Sequence, residues 1–418
     1  MTPVLDRARQ LLVAAETTAG TEIDLTSDPG HHLVRNCKEI SFNPSVNGYD
    51  RALQQGTLTG LGLLKGSRSA TISAMYELGG DPLGVDALRP KWHDVVGACG
   101  LAPRSTFQIL LDAPSPAGFA RGALLGNNTD LNAATKLIRC VHYHDGGAGA
   151  RRLWYVTVSG DPLDDTDTLF DDADTQNSAD VESGAAPASA GFRWTPVSET
   201  ETSAPATVTA ELREGPTRGT IVGARGTGTV TLRHNEPPMM QAELTGPMVL
   251  ENNTLRDGTA VPPSQGGLFT PDVCLAARAL LLDPGGNALD LVREGAEYQF
   301  NNTVALRPTI GDSLAGSGFR ETSITERNPS VSFDPEREPD RFDSVLSAGT
   351  GSTLRVYQMI GALSGAGANG IIAIEAPKTQ IEGDLSRGER NAIQTENLTL
   401  RCFGDGDDEL IVDHFKAV

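Results

Sequence analysis

The stretch Ser69-Ala-Thr-Ile-Ser-Ala-Met-Tyr-Glu-Leu78, followed by Trp92-His-Asp-Val-Val-Gly-Ala-Cys-Gly100, decides the fold, because the chain carries it twice. Pro329-Ser-Val-Ser-Phe-Asp334 leads in the same way to Phe342-Asp-Ser-Val-Leu-Ser-Ala-Gly349. In one register Trp92 answers to Phe342, Val95 to Val345, Val96 to Leu346 and Ala98 to Ala348. Each copy continues with Ser-Thr and an alternating strand, Ser105-Thr-Phe-Gln-Ile109 and Ser352-Thr-Leu-Arg-Val356. Each then reaches a hairpin that opens alike, Thr229-Val-Thr-Leu-Arg233 and Asn397-Leu-Thr-Leu-Arg401. A repeat of this length sets the architecture before any single element does. Alternating strands with one short helix per copy point to a duplicated, mainly β building block.

Composition agrees. The 418 residues are enough for two or three domains with their own cores. Aromatics make up only 5%, while 46 glycines and 25 prolines suit many short strands and turns. The five cysteines (37, 99, 140, 274 and 402) are an odd number without a CxxC pair, which points to free thiols. Residues 1–10 lack the apolar core of a signal peptide, and no stretch reaches the roughly 18 apolar residues of a membrane helix. The net charge of −20 sets 34 basic residues against 54 acids, which disfavours phosphate binding. Acidity of this kind keeps an abundant protein soluble, and it suits a conduit that DNA must cross without sticking.

Along the chain, 1–35 reads as an N-terminal helical arm, with Val4, Leu5, Ala8, Leu11, Leu12 and Ala15 at helical spacing over 3–16. Residues 36–250 read as a first domain and 266–418 as a second. They are joined by the polar, proline-paired linker 251–265. The path from the Ser-Thr strand to the Thr-Leu-Arg strand is far longer in the first copy (109 to 230) than in the second (356 to 398), so the first copy carries an insertion. Within it, 159–182 holds nine acids and no Lys or Arg. It reads as an irregular or partly disordered acidic loop, in an insertion centred on about 159–190. A second short helix is expected after Pro339.

Chemistry is sparse. His142 and His144 stand two apart beside Asp145, but no third ligand follows at a defined spacing, and a surface turn accounts for them. Asp405-Gly-Asp-Asp-Glu409 lacks the full calcium-loop pattern and reads as the tight turn of the last hairpin. Gly223-Ala-Arg-Gly-Thr-Gly228 has no GxxxxGK[ST], and no GxSxG elbow occurs. Cys99 answers to Gly349 in the second copy, which excludes a chemistry shared by both. No catalytic, cofactor or metal site is expected. The connection 48–66 instead carries Leu58, Leu61, Leu63 and Leu64 among glycines, an apolar run expected at a subunit interface. Leu63 and Leu64 alternatively begin the next strand.

Several of these stretches resemble the tail tube (major tail) proteins of long-tailed, non-contractile bacteriophages. They include Leu63-Leu-Lys-Gly-Ser-Arg-Ser-Ala-Thr-Ile-Ser73, Pro90-Lys-Trp92, Gly97-Ala-Cys-Gly100 and Phe192-Arg-Trp-Thr-Pro-Val-Ser198. Ile221-Val-Gly-Ala-Arg-Gly226, Ile324-Thr-Glu-Arg-Asn-Pro-Ser-Val-Ser-Phe333, Ile374-Glu-Ala-Pro-Lys378 and Asp407-Asp-Glu-Leu-Ile-Val412 are similar to stretches of the same family. The resemblance implies two tandem tail-tube-type β-sandwich or barrel domains, each with one short flanking helix. It implies a virion protein, assembled in the host cytoplasm, that stacks as rings into a hollow tail tube. Rings of six tube domains would then hold three chains in pseudo-six-fold symmetry. Implied partners are further copies of the chain, a tape measure protein and tail-terminal proteins. Viral DNA passes without specific binding, and no membrane is involved. A baseplate hub or secretion-system tube component shares the fold, and a carbohydrate-binding or hydrolytic β-sandwich remains as a reading of another class.

Overall fold

The computed structural model describes residues 9–25, 32–34, 36–49, 64–79, 90, 92–112, 118–147, 150–171, 177–198, 204–214, 217–233, 236–250, 256–257, 278–282, 288–289, 295–311, 313–336, 354–360, 371–382, 386–390, 392–404 and 407–415. These residues are mainly β, and they fall into two compact units: 1–102 with 194–412, and 103–193 with 413–418. This division differs from the one drawn at 251–265, where only Arg256–Asp257 is described. Both strand sets flanking that stretch belong to the first unit.

The first unit begins with β1 (Arg9–Ala15), β2 (Cys37–Tyr49), β3 (Leu64–Glu77) and helix α1 (His93–Ala98). The expected N-terminal helix over 3–16 is corrected here: 9–15 is a strand, paired antiparallel from Arg9↔Glu214 to Ala15↔Val208, while 1–8 lies outside the described residues. Leu11, Leu12, Val13 and Ala14 are all buried. Four consecutive buried positions suit a strand covered on both faces, whereas a helix would turn one of them to solvent. The six-residue α1 is too short to be stable alone. Trp92 at its start anchors it, donating from Nε1 to Gly79 O (2.9 Å) and lying 4.9 Å from the Trp194 ring.

Seven strands then run through β4 (Leu101–Leu110), β5 (Leu124–Gly126), β6 (Leu137–His144), β7 (Arg152–Ser159), β8 (Thr168–Asp171), β9 (Ser178–Asp180) and β10 (Ala188–Pro196). Apart from the ends of β4 and β10, they make up the second unit. Its ladder runs β4–β7–β6–β5–β8–β9. The acidic stretch 159–182 is therefore not an irregular loop: it contributes β8 and β9, and 172–176 lies outside the described residues. Leu163, Leu169, Ala179 and Val181 enter a core with Ile109, Leu125, Ile138, Leu153 and Tyr155. The carboxylates lie between these apolar positions, so charge counting alone hid an alternating pattern. Asp413, fully buried, is bound by Arg193 (Nε–Oδ1 2.7 Å) and also accepts from Arg121.

The chain returns to the first unit through β11 (Val208–Glu214), β12 (Thr217–Arg233), β13 (Met239–Val249), β14 (Arg256–Asp257), β15 (Arg278–Leu282), β16 (Ala288–Leu289), β17 (Gly295–Gln299) and β18 (Asn302–Pro308). It ends with β19 (Phe319–Arg327), β20 (Ser330–Phe333), β21 (Leu354–Ile360), β22 (Ile371–Ile381), β23 (Ser386–Arg390), β24 (Ile393–Cys402) and β25 (Ile411–Phe415). The helix expected after Pro339 lies outside the described residues.

Two strand sets in this unit share one connectivity. In the first the pairing order is β1–β11–β12–β13–β3–β2. In the second it is β15–β21–β22–β24–β20–β17, with β18 and β19 extending the β17/β20 hairpin. Even an irregularity recurs. The β11–β12 register shifts between Val208↔Ala224 and Ala210↔Ile221, and the β21–β22 register shifts between Leu354↔Thr379 and Val356↔Ala376. The row Phe42–Ile72–Leu244–Gly226 thus answers to Tyr298–Val331–Leu400–Ile381. These equivalences revise two matches made from sequence: β21 answers to β11 rather than to the Ser105 strand, and β24 answers to β13 rather than to β12.

Candidate functional site

The seam joining the two strand sets organises the first unit. β11 leaves β12 at Ala224, and β17 takes over the vacated side through Thr229↔Gln299, Val230↔Tyr298, Thr231↔Glu297, Leu232↔Ala296 and Arg233↔Gly295. Val230, Leu232, Ala296 and Tyr298 are buried on one face. Period-two alternation sends Thr231, Arg233, Glu297, Ser332 and Asp334 to the other, where they line a depression that Ala296, Phe333 and Leu398 also border. That lining holds Glu236, Glu297 and Asp334 against Arg233, an acidic balance.

The β18–β19 hairpin crosses from the second set onto the first. Asn302, only 8% exposed, donates from Nδ2 to Cys99 O (2.6 Å) and Gly226 O (3.0 Å). Its tip packs Leu314 onto Gly20 and Gly223, while Arg68 N donates to Ser317 O at 2.8 Å. Both glycines have positive φ, and a Cβ at Gly20 would stand 2.2 Å from Leu314 Cδ2. Bare backbone is what admits the leucine.

Two strands at the ends of this arrangement have one registered partner each among the described residues. β2 pairs with β3, and β23 pairs with β24. Lys38, Glu39 and 43–48 on β2 are exposed, as is Glu389 on β23. Unpaired N–H and C=O groups along a strand edge are a template for a further strand.

Of the residues expected at an interface, Leu58, Leu61 and Leu63 lie outside the described residues, and Leu64 opens β3 opposite Tyr49. Among the described residues, no group of three or more His, Cys, Asp or Glu is placed to hold a metal. His142 lies on β6 with its ring 5.5 Å from Trp154 and 6.2 Å from Phe415, so aromatic packing occupies it. Asp407 instead serves a structural cluster: it accepts from Ser198 Oγ (2.6 Å) and Arg327 Nη2 (2.8 Å). Burial pushes its carboxyl upward, but these bonds outweigh burial and hold it below the usual value. Burial pushes the thiol of Cys99 well up and that of Cys402 up to about 12, which leaves both protonated and unreactive. All three tryptophans are buried, so none offers a platform for stacking a sugar. No helix among the described residues is long and apolar enough to cross a membrane.

No protein-family model matches the chain, and no curated protein matches it.

Proposed function

We propose that the protein is a structural subunit that associates head to tail with its own copies into rings, and that the rings stack into the tail tube of a non-contractile phage. The observation that carries this reading is the seam itself. Two strand sets of one connectivity are joined side by side through β12 and β17, and among the described residues the counterpart of that edge in the second set, β23, is registered with β24 alone. Joining two like modules by a heterologous contact yields a closed ring or an open helix once the contact recurs between chains. On this reading each strand set belongs to one tail-tube-type domain with its flanking helix, and three chains supply the six domains of a ring.

The remaining features are consistent with such a role. The polar face of β12, β17, β20 and β24 is the proposed channel wall, with its acids repelling phosphate. The acidic stretch 159–182 is proposed to lie on the outside of the tube, because an insertion in the channel would obstruct it. We assign the protein no catalytic activity. Negative-stain imaging of the concentrated, purified chain tests the reading. Rings or tubes of uniform width are expected, and a monodisperse monomer at every concentration would overturn it.

A further inference from the structure

The internal seam predicts the external one. We propose that the free edge of β2 in one copy adds antiparallel to the β22–β23 edge of the next, in the register of β12 on β17. This rests on the self-assembly reading above and names the strands that perform it.

The register follows from the equivalences between the two sets. Ala224 on β12 answers to Thr379 on β22, so Thr231 answers to Ser386 at the start of β23. Phe42 on β2 answers to Tyr298 on β17, so Ser41 answers to Glu297. Because Thr231 faces Glu297 within the chain, Ser386 of one copy should face Ser41 of the next. The register holds only as far as Ser41, because β2 shifts by a residue before Lys38, whose ammonium pairs with Glu77 at 3.0 Å. Among the described residues the registered partner of β23 is β24 and that of β2 is β3, which leaves the far side of each strand for a further one.

Two details make the seam between chains weaker than the one within. Pro44 stands where the second set has Phe300, whose N–H donates to Gly228 O at 2.9 Å, so one ladder bond is missing. Arg9 Nη1 already donates to Ile40 O on β2, 3.1 Å away. A proline and a competing cation at an edge are also what keep a soluble subunit from pairing indiscriminately before assembly.

The test is disulfide trapping of paired residues. Opposite residues of an antiparallel pair have Cα atoms about 4.5–5.5 Å apart, within disulfide reach. Single variants Ser41→Cys and Ser386→Cys, each also carrying Cys37→Ser and Cys274→Ser, are mixed under assembly conditions, oxidised and run on a non-reducing gel. A covalent dimer is expected from the mixture and not from either variant alone. Asn43→Cys mixed with Ser386→Cys, two residues out of register, should cross-link at least tenfold less. Rings or tubes that form without the Ser41–Ser386 cross-link, or that cross-link the offset pair equally well, would overturn the edge assignment alone. A chain that remains monomeric by light scattering at every concentration would overturn both the assignment and the assembly reading.

Discussion

Asn302→Ala should weaken the junction between the two strand sets by about 2–4 kcal/mol. The side chain is 8% exposed, and its single amide nitrogen serves two backbone carbonyls, Cys99 O at 2.6 Å and Gly226 O at 3.0 Å. Alanine removes this donor from both carbonyls, and a buried polar group that loses its partner costs about 1–3 kcal/mol. Partial entry of water at one carbonyl brings the pair to the stated range. The assay is urea unfolding followed by tryptophan fluorescence, since Trp92 and Trp194 pack beside α1. The midpoint should fall without a change in slope. Asn302→Asp sharpens the test through its pH dependence. A carboxylate aimed at two carbonyl oxygens raises the folded pKa above the unfolded value of about 3.9. The penalty is then absent below that value, grows as pH rises toward the folded pKa, and stays constant above it. A loss under about 0.5 kcal/mol for Asn302→Ala, with no pH dependence in Asn302→Asp, would refute the claim that this residue pins the hairpin to the helix.

Asp413→Asn leaves the buried Arg193 and the half-buried Arg121 against a neutral amide, and calorimetry of the full chain should show a loss of about 3–5 kcal/mol in the unit built from 103–193. A change within about 0.5 kcal/mol would contradict the role given to that ion cluster. The lowered pKa of Asp407 makes its bonds stabilising above the ordinary carboxylate value and lost as pH falls through the lower folded value. Urea midpoints measured from neutral to acid pH should therefore converge for the wild type and Asp407→Asn, and parallel curves would count against it. Replacing Leu58 and Leu61 together with Ser should leave a folded monomer by circular dichroism that no longer forms tubes in negative stain. Tubes unchanged in number and width would remove those leucines from the interface.

The repeat was legible in Ser69–Leu78 and Pro329–Asp334, whose strands β3 and β20 hold equivalent places in the two sets, while the match of Trp92 with Phe342 falls, at Phe342, on a residue outside those described. What could not be read was which later strands correspond. Thr229–Arg233 and Asn397–Arg401 look alike because both alternate threonine with leucine or valine, yet the pairings place them in different positions of the sheet. Local similarity of alternating strands carries no information about neighbours, which are set by non-local hydrogen bonds. The N-terminal strand was misread for a related reason: Leu11-Leu-Val-Ala14 is buried on both faces, and a short apolar run without alternation fits a helix equally well. In 159–182 the carboxylates masked Leu163, Leu169 and Val181, whose burial needs partners such as Leu125 and Ile138 from elsewhere in the chain. The unequal spacing of the two copies was measured between strands that the pairings do not match, since β21 answers to β11 and β24 to β13. The β12–β17 seam had no sequence signal: its pairs, such as Thr231↔Glu297, are ordinary strand residues whose partnership exists only in three dimensions.

Native mass spectrometry of rings released from assembled tubes, paired with image reconstruction without imposed symmetry, tests the assembly most directly. Three chains per ring, seen as six similar lobes alternating between two kinds, is the predicted result. Six chains per ring, or a chain that never leaves the monomeric state, would contradict it.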